Sequence, residues 1–207
     1  VDLVVAIAGG FPEAREILVQ IGLRPTNISH RYLTENDLQL DILPVAVSDT
    51  EQDRIEMPGG GSLSAIGLGE AIRSRIEVNL EGCAIAVAAL LVVIALKLIA
   101  ATERVRSDLE DSCACLVEYA SSDIRRNLAH YDHSSILTYE TSGAYVAGAD
   151  LAQVGGDRLV ASTTEALATL REKQAALIRA ARSLGIDEGM PSALLEAMAM
   201  GLEARSI

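Results

Sequence analysis

An apolar share of 50% over 207 residues, against 22% charged, is enough to bury a core and excludes a disordered chain. The net charge of -12 repels a nucleic-acid backbone. That excludes nonspecific DNA or RNA binding unless metal ions or a local arginine patch reverse the field, and it leaves small metal-bound nucleotides compatible.

Aromatic residues are only 3% of the chain, with no Trp and 1 Phe, so the core has to be built from Leu, Ile, Val and Ala. The acidity is uneven: residues 1–150 hold 22 acids and 11 bases, and residues 151–207 hold 7 and 6. Cys83, Cys113 and Cys115 form an odd set without framework spacing, which points to a reducing compartment and therefore to the cytoplasm. The chain begins at Val1 inside an apparent strand, without an initiator Met, so an upstream segment is expected.

In chain order, Val1 to Ile7 alternates as a strand with Val1, Leu3, Val5 and Ile7 on the apolar face and Asp2 opposite. Gly9-Gly10 turns the chain, and Pro12 suits the first turn of a helix running to Ile21, with Ile17, Leu18 and Ile21 as its buried stripe and Gly22 closing it. Residues 28–33 and 37–43 read as an antiparallel hairpin around Thr34-Glu35-Asn36, with Leu38, Leu40 and Ile42 entering the core and Asp41 facing out. Two strands that each offer a carboxylate, Asp2 and Asp41, supply the oxygen donors that Mg2+ or Mn2+ prefers, although acids on the solvent face of strands are also ordinary.

Residues 48–63, with Pro58-Gly59-Gly60-Gly61-Ser62, read as a loop; no Gly-Lys-Ser/Thr follows, so a phosphate cradle has little support. A short helix over 63–72 leads to two strands, 76–80 and 83–88, around Glu81-Gly82. The apolar run from Cys83 to Leu96 is read as a buried strand and a helix rather than a membrane span. From Ala89 to Tyr119 the pattern is helical, with a break possible at 102–107; if unbroken, Lys97, Arg104, Asp108 and Asp111 share one side. Residues 123–150 read as irregular structure with short helices, and 163–184 and 191–204 as two terminal helices.

Other clusters carry weaker signals. Cys113 and Cys115 lack partner ligands at finger spacing and read as helix packing, and His30 reads as structural. His130, Asp132 and His133 read as a polar surface turn before they read as a metal site, and Arg125-Arg126 as a phosphate contact or as helix-flanking charge. No Gly-x-Ser-x-Gly is present, which leaves acyl transfer unsupported.

Val1-Asp2-Leu3-Val4-Val5, Leu40-Asp41-Ile42-Leu43-Pro44, Ala95-Leu96-Lys97-Leu98-Ile99-Ala100 and Arg106-Ser107-Asp108-Leu109-Glu110-Asp111, taken in order, resemble the AbiEii-like nucleotidyltransferase family, a toxin-type branch of the DNA polymerase β-like superfamily. The resemblance covers most of residues 1–150. The family's first acid and its Gly-Ser turn would lie before Val1, and Ser107 stands where the family usually has Lys. The resemblance implies Asp2 and Asp41 as ligands of Mg2+ or Mn2+, with Asp41 also taking a proton from the attacking hydroxyl. It implies Lys97 as the residue that neutralises the triphosphate, and Arg104, Asp108 and Asp111 as residues that orient the nucleotide or its phosphate-binding neighbours.

The expected architecture is therefore α+β: a small mixed nucleotidyltransferase-type sheet with packed helices in residues 1–150, and a helical appendage in residues 151–207. The expected function is metal-dependent transfer of a nucleotidyl group from a nucleoside triphosphate to an acceptor hydroxyl, on RNA or protein, with a cognate antitoxin as a further partner and no membrane. The alternative is a catalytically inactive scaffold or partner-binding protein of the same fold.

Overall fold

A computed structural model of the chain describes residues 2–6, 10–45, 54–57, 60–80, 82–103, 107–131 and 137–204. The architecture is α+β, and the chain divides into two units, Val1–Gly69 and Glu70–Ile207.

The first unit holds strand β1 (Asp2–Ala6), helix α1 (Gly10–Gln20), β2 (Arg24–Pro25), β3 (Arg31–Leu33) and β4 (Gln39–Val45). These strands form a mixed sheet in the order β1-β4-β3-β2, with β1 parallel to β4 and the other pairs antiparallel. Strand β4 therefore has a neighbour on each side. Its alternation works as read at two positions: Ile42 is buried and Leu40 packs beside it, in a cluster with Leu18 and Tyr32. Burying each such large side chain stabilises the unit by about 2 kcal/mol.

Leu38 does not join that core. It is 55% exposed, because β4 starts only at Gln39 and the turn before it is longer than the residues 34–36 read from the sequence. Asp37 takes a left-handed conformation, φ 59°, and the turn closes with Thr34 N–H donating to Leu38 O at 3.0 Å and Asp37 N–H to Thr34 O at 3.1 Å. On α1 the buried positions are Ala14 and Leu18, one turn apart, while Ile17 and Ile21 are 43% and 69% exposed. The small sheet covers one narrow stripe of the helix, and the broader stripe expected from the isoleucines is not buried.

The region read as a loop over 48–63 includes a hairpin. Strands β5 (Arg54–Glu56) and β6 (Ser62–Ser64) pair antiparallel, and Met57 N–H donates to Gly61 O at 3.0 Å across the turn. Ile55 packs with Ala65 and Leu68 beneath it. Helix α2 (Leu68–Arg73) then carries the chain into the second unit.

There, β7 (Ile76–Leu80) and β8 (Cys83–Val87) form the hairpin read from the sequence, with Ile76 opposite Val87 and Val78 opposite Ile85. All four of those residues are exposed, so β8 is not the buried strand that its apolar run suggested. Helix α3 (Leu90–Glu103) takes up the rest of the run and buries Leu91, Ile94, Ala95 and Leu98. A helix of its length spans roughly 21 Å, short of the roughly 30 Å hydrocarbon layer, and among the described residues no helix is long and apolar enough to cross a membrane.

The helical stretch read over 89–119 is two helices, and the division falls within the 102–107 read from the sequence: α3 ends at Glu103 and the next helix begins at Ser107. Helix α4 (Ser107–Glu118) packs back on α3, burying Leu109, Cys113 and Leu116. Helices α5 (Ser122–Tyr131), α6 (Ser142–Val154), α7 (Asp157–Arg171), α8 (Gln174–Leu184) and α9 (Met190–Glu203) follow. The single helix read over 163–184 is two helices, separated at Glu172-Lys173, where Lys173 N–H donates to Leu170 O at 3.0 Å and Lys173 Nζ to Thr102 O at 2.6 Å.

Helices α6 and α9 approach so closely that glycine is required on both. A Cβ on Gly148 would strike the Met198 carbonyl oxygen and come within 2.9 Å of Leu202 N, and one on Gly201 would strike the Tyr145 carbonyl oxygen and come within 2.9 Å of Ala149 N. These are backbone atoms and cannot swing aside. Gly148→Ala and Gly201→Ala should each cost about 3 kcal/mol, seen as a lowered urea midpoint. Gly185→Ala, at the left-handed end of α8 with open space around it, should cost only about 1 kcal/mol. Equal losses at the three positions would contradict the close α6–α9 approach.

Candidate functional site

Asp41 sits on β4 between two paired positions. On one side the parallel register sets Asp2 of β1 against it, and on the other the antiparallel register sets Arg31 of β3 against it. Tyr32 and Ile42 point into the core, so their neighbours Arg31 and Asp41 stand on the other face of the sheet. Their side chains meet in a two-bond fork: Arg31 Nε donates to Asp41 Oδ1 at 2.7 Å and Arg31 Nη2 to Oδ2 at 2.8 Å. The side chains are 31% and 20% exposed, which leaves the pair open to solvent on one side. With its amide turned so that the oxygen faces the guanidinium, Gln39 accepts from the same arginine at 3.2 and 3.3 Å.

The fork governs the acidity of Asp41. The hydrogen bonds from Arg31 hold its carboxyl below the usual carboxylate range; burial pushes the other way, and the charges of Arg31 and His30 add to the lowering. His30 also extends the ladder, since Ile42 N–H donates to its carbonyl oxygen at 2.7 Å. Its ring Nδ1 is buried with no hydrogen-bond partner among the described residues.

In the second unit Lys97 of α3 meets two carboxylates of α4. Its ammonium donates to Asp111 Oδ2 at 2.7 Å and to Asp108 Oδ1 at 3.3 Å. The three residues do share a site, but across two packed helices and not along one continuous helix: α3 ends at Glu103, and α4, starting at Ser107, packs against it. Burial acts to lower the Lys97 pKa, and the hydrogen bonds and charges of Asp111 and Asp108 outweigh it, so the pKa is raised. A lysine raised in this way contributes stability below its ordinary pKa of about 10.4, and that contribution is lost as pH climbs through the folded value. Arg104 lies outside the described residues, as do Asp132 and His133.

The remaining candidates are occupied by packing. Cys113 is buried, and burial with the nearby Glu110 charge pushes its thiol up to about 12. Burial and Asp111 also raise Cys115, against a smaller opposing effect of Lys97, so both thiols stay protonated at neutral pH. Arg125 is buried too: it donates to Val117 O at 2.6 Å, lies 3.5 Å from Glu118 Oε2 and stacks 4.7 Å from the centre of the Tyr139 ring. It braces the end of α4 and offers no open phosphate contact, while Arg126 pairs with Asp123 at 2.9 Å on the surface of α5. Tyr119, pushed up to about 12 by burial and the Asp150 carboxylate, donates to Asp150 Oδ2 at 3.1 Å.

Among the described residues, no three His, Cys, Asp or Glu side chains are arranged to hold a metal. Arg31 is the residue of this site that the sequence reading passed over. Comparison with protein-family models, with curated proteins and with solved structures finds no match.

The depressed Asp41 pKa gives a signed expectation. Its contribution to stability is present above the ordinary aspartate pKa of about 3.9 and is lost as pH falls through the lower folded value. Asp41→Asn should therefore cost about 1 kcal/mol at neutral pH, and the difference from the parent should be smaller at an acid pH below the ordinary aspartate value. Urea unfolding at both pH values, followed by a probe in the first unit, measures it. A gap that is the same at both would show that the fork contributes nothing through charge.

Proposed function

We propose that this chain is a metal-dependent nucleotidyltransferase, moving a nucleotidyl group from a nucleoside triphosphate to an acceptor hydroxyl. The observation that supports this reading best is the β1–β4 register, which sets Asp2 and Asp41 on adjacent strands at the same level. Adjacent strands lie about 4.8 Å apart, a spacing at which two carboxylates can serve one cation. The donors fit Mg2+ or Mn2+, which favour hard oxygen ligands and retain room for phosphate. A metal bound by Asp2 and Asp41 would supply charge neutralisation at the phosphates.

The chain's own residues would do the rest. The acceptor hydroxyl would give its proton to the Asp41 carboxylate as its oxygen forms a bond to the α-phosphorus and the bond to pyrophosphate breaks. The resemblance also gives Lys97 the neutralisation of triphosphate charge and Arg104, Asp108 and Asp111 the orientation of the nucleotide; within the second unit Asp108 and Asp111 hold the Lys97 ammonium. The nucleotidyltransferase type of the β1-β4-β3-β2 sheet, a cytoplasmic setting, an RNA or protein acceptor and a cognate antitoxin belong to the same reading.

A second reading, a catalytically inactive scaffold or partner-binding protein of this fold, is favoured by one observation. Both oxygens of Asp41 already accept from Arg31, and a carboxylate held below its ordinary pKa is a poor proton acceptor.

Isothermal titration with each of the four nucleoside triphosphates and Mg2+ separates the two. The transferase reading expects Mg2+-dependent binding of at least one triphosphate, lost in Asp41→Ala. No binding by the well-folded parent protein would leave the scaffold reading.

A further inference from the structure

The Arg31–Asp41 fork places a cation where the proposed chemistry needs a free acid. We propose that Arg31 is a phosphate-binding switch: it guards Asp41 in the free protein and transfers its guanidinium to the triphosphate of the incoming nucleotide, which frees Asp41 for the metal. This inference rests on the transferase reading and assigns a role to a residue that the reading does not itself require.

The geometry makes the exchange chemically direct. A guanidinium presents two parallel N–H donors at a spacing that fits carboxylate and phosphate oxygens alike. Arg31 uses Nε and Nη2 in this way on Asp41, at 2.7 and 2.8 Å. Phosphate oxygens could take over the same two donors without a new binding mode. A triphosphate carries several negative charges against the single charge of Asp41, so it is the stronger competitor in a site that remains partly open to solvent.

Strand order fixes the topology of the switch. Strand β4 carries Asp41 between β1, with Asp2, and β3, with Arg31. The metal-side acid and the phosphate-side cation are therefore on opposite neighbours of one strand, and Asp41 belongs to one or the other. While the fork is closed, a divalent cation must displace a guanidinium to reach Asp41, so metal alone should bind poorly. Nucleotide and metal should bind best together, because each removes an obstacle to the other.

The other arginine on this sheet provides a control. Arg24 of β2 pairs with Asp37 in the turn before β4, and both side chains are exposed. Losing Arg24 removes the same charge from the same sheet without opening Asp41, so it separates a general electrostatic effect from release of the fork.

The test uses the full chain with two probes, Mn2+ alone and inorganic tripolyphosphate without metal, on the parent, Arg31→Gln, Arg31→Lys and Arg24→Gln proteins. Arg31→Gln should bind Mn2+ roughly tenfold more tightly than the parent and tripolyphosphate roughly tenfold more weakly, and Arg24→Gln should change neither by more than about twofold. Arg31→Lys keeps the charge but cannot fork, so it should shift both affinities in the same directions by less; it also carries the test if Arg31→Gln does not fold. Unchanged Mn2+ affinity in a folded Arg31 variant, or equal shifts in Arg24→Gln, would overturn the switch. If the parent still binds Mg2+ and nucleotide through Asp41 in that case, the transferase reading survives; if no protein binds either probe, both fall.

Discussion

Strand β4 is paired along both edges, and Asp41 is the point where those two pairings meet. The parallel edge brings Asp2 to it and the antiparallel edge brings Arg31. A shift of one residue in either register would turn Asp41 toward Leu18 and Tyr32 and expose Ile42. Burial of Ile42 and Tyr32 thus holds the carboxylate on the open face, and the core of this small unit and the geometry of its candidate site are the same constraint. The Arg31 fork adds a polar tie across the same pair of strands.

The second unit solves a different problem. With so few aromatic residues, its helices reach close packing by bringing backbones together, at Gly148 and Gly201 between α6 and α9 and at Gly143, where an added Cβ would lie 2.6 Å from the Leu116 carbonyl oxygen. Helices α3 and α4 form the polar exception. Lys97 and its two aspartates join the same two helices that bury Ile94, Leu98, Leu109 and Leu116. An ammonium between two carboxylates keeps one of the acidic charges uncompensated, so the cluster retains negative charge overall. A phosphate arriving there would have to compete with Asp108 and Asp111 for Lys97, as it would compete with Asp41 for Arg31.

Periodicity made much of this legible. The alternation around Leu40 and Ile42 located β4, Glu81-Gly82 located the β7–β8 turn, and the polar stretch after Ala101 located the end of α3. What stayed hidden depended on turn length and on burial. Reading the turn as Thr34-Glu35-Asn36 would set Ser29 against Asp41; the longer turn, with Asp37 left-handed, sets Arg31 there and creates the fork. No local pattern in the sequence signals a slip of that kind. Likewise, Ile17 and Ile21 announced a stripe that the narrow sheet does not cover, and the spacing of Lys97, Asp108 and Asp111 left open whether one helix carries them; they meet across two. Hydrophobic spacing indicates which residues can be buried together, but the area available on the opposing surface decides which are.

The proposal that Asp2 and Asp41 serve one cation rests on the β1–β4 register, which pairs the two positions on adjacent strands. The most direct test is electron paramagnetic resonance of Mn2+ with inorganic tripolyphosphate on the parent protein, Asp2→Asn and Asp41→Asn. The account expects one bound Mn2+ in the parent and loss of that signal in both variants. Retention of the bound ion in Asp2→Asn, with loss only in Asp41→Asn, would contradict the paired site and leave Asp41 acting without its strand neighbour.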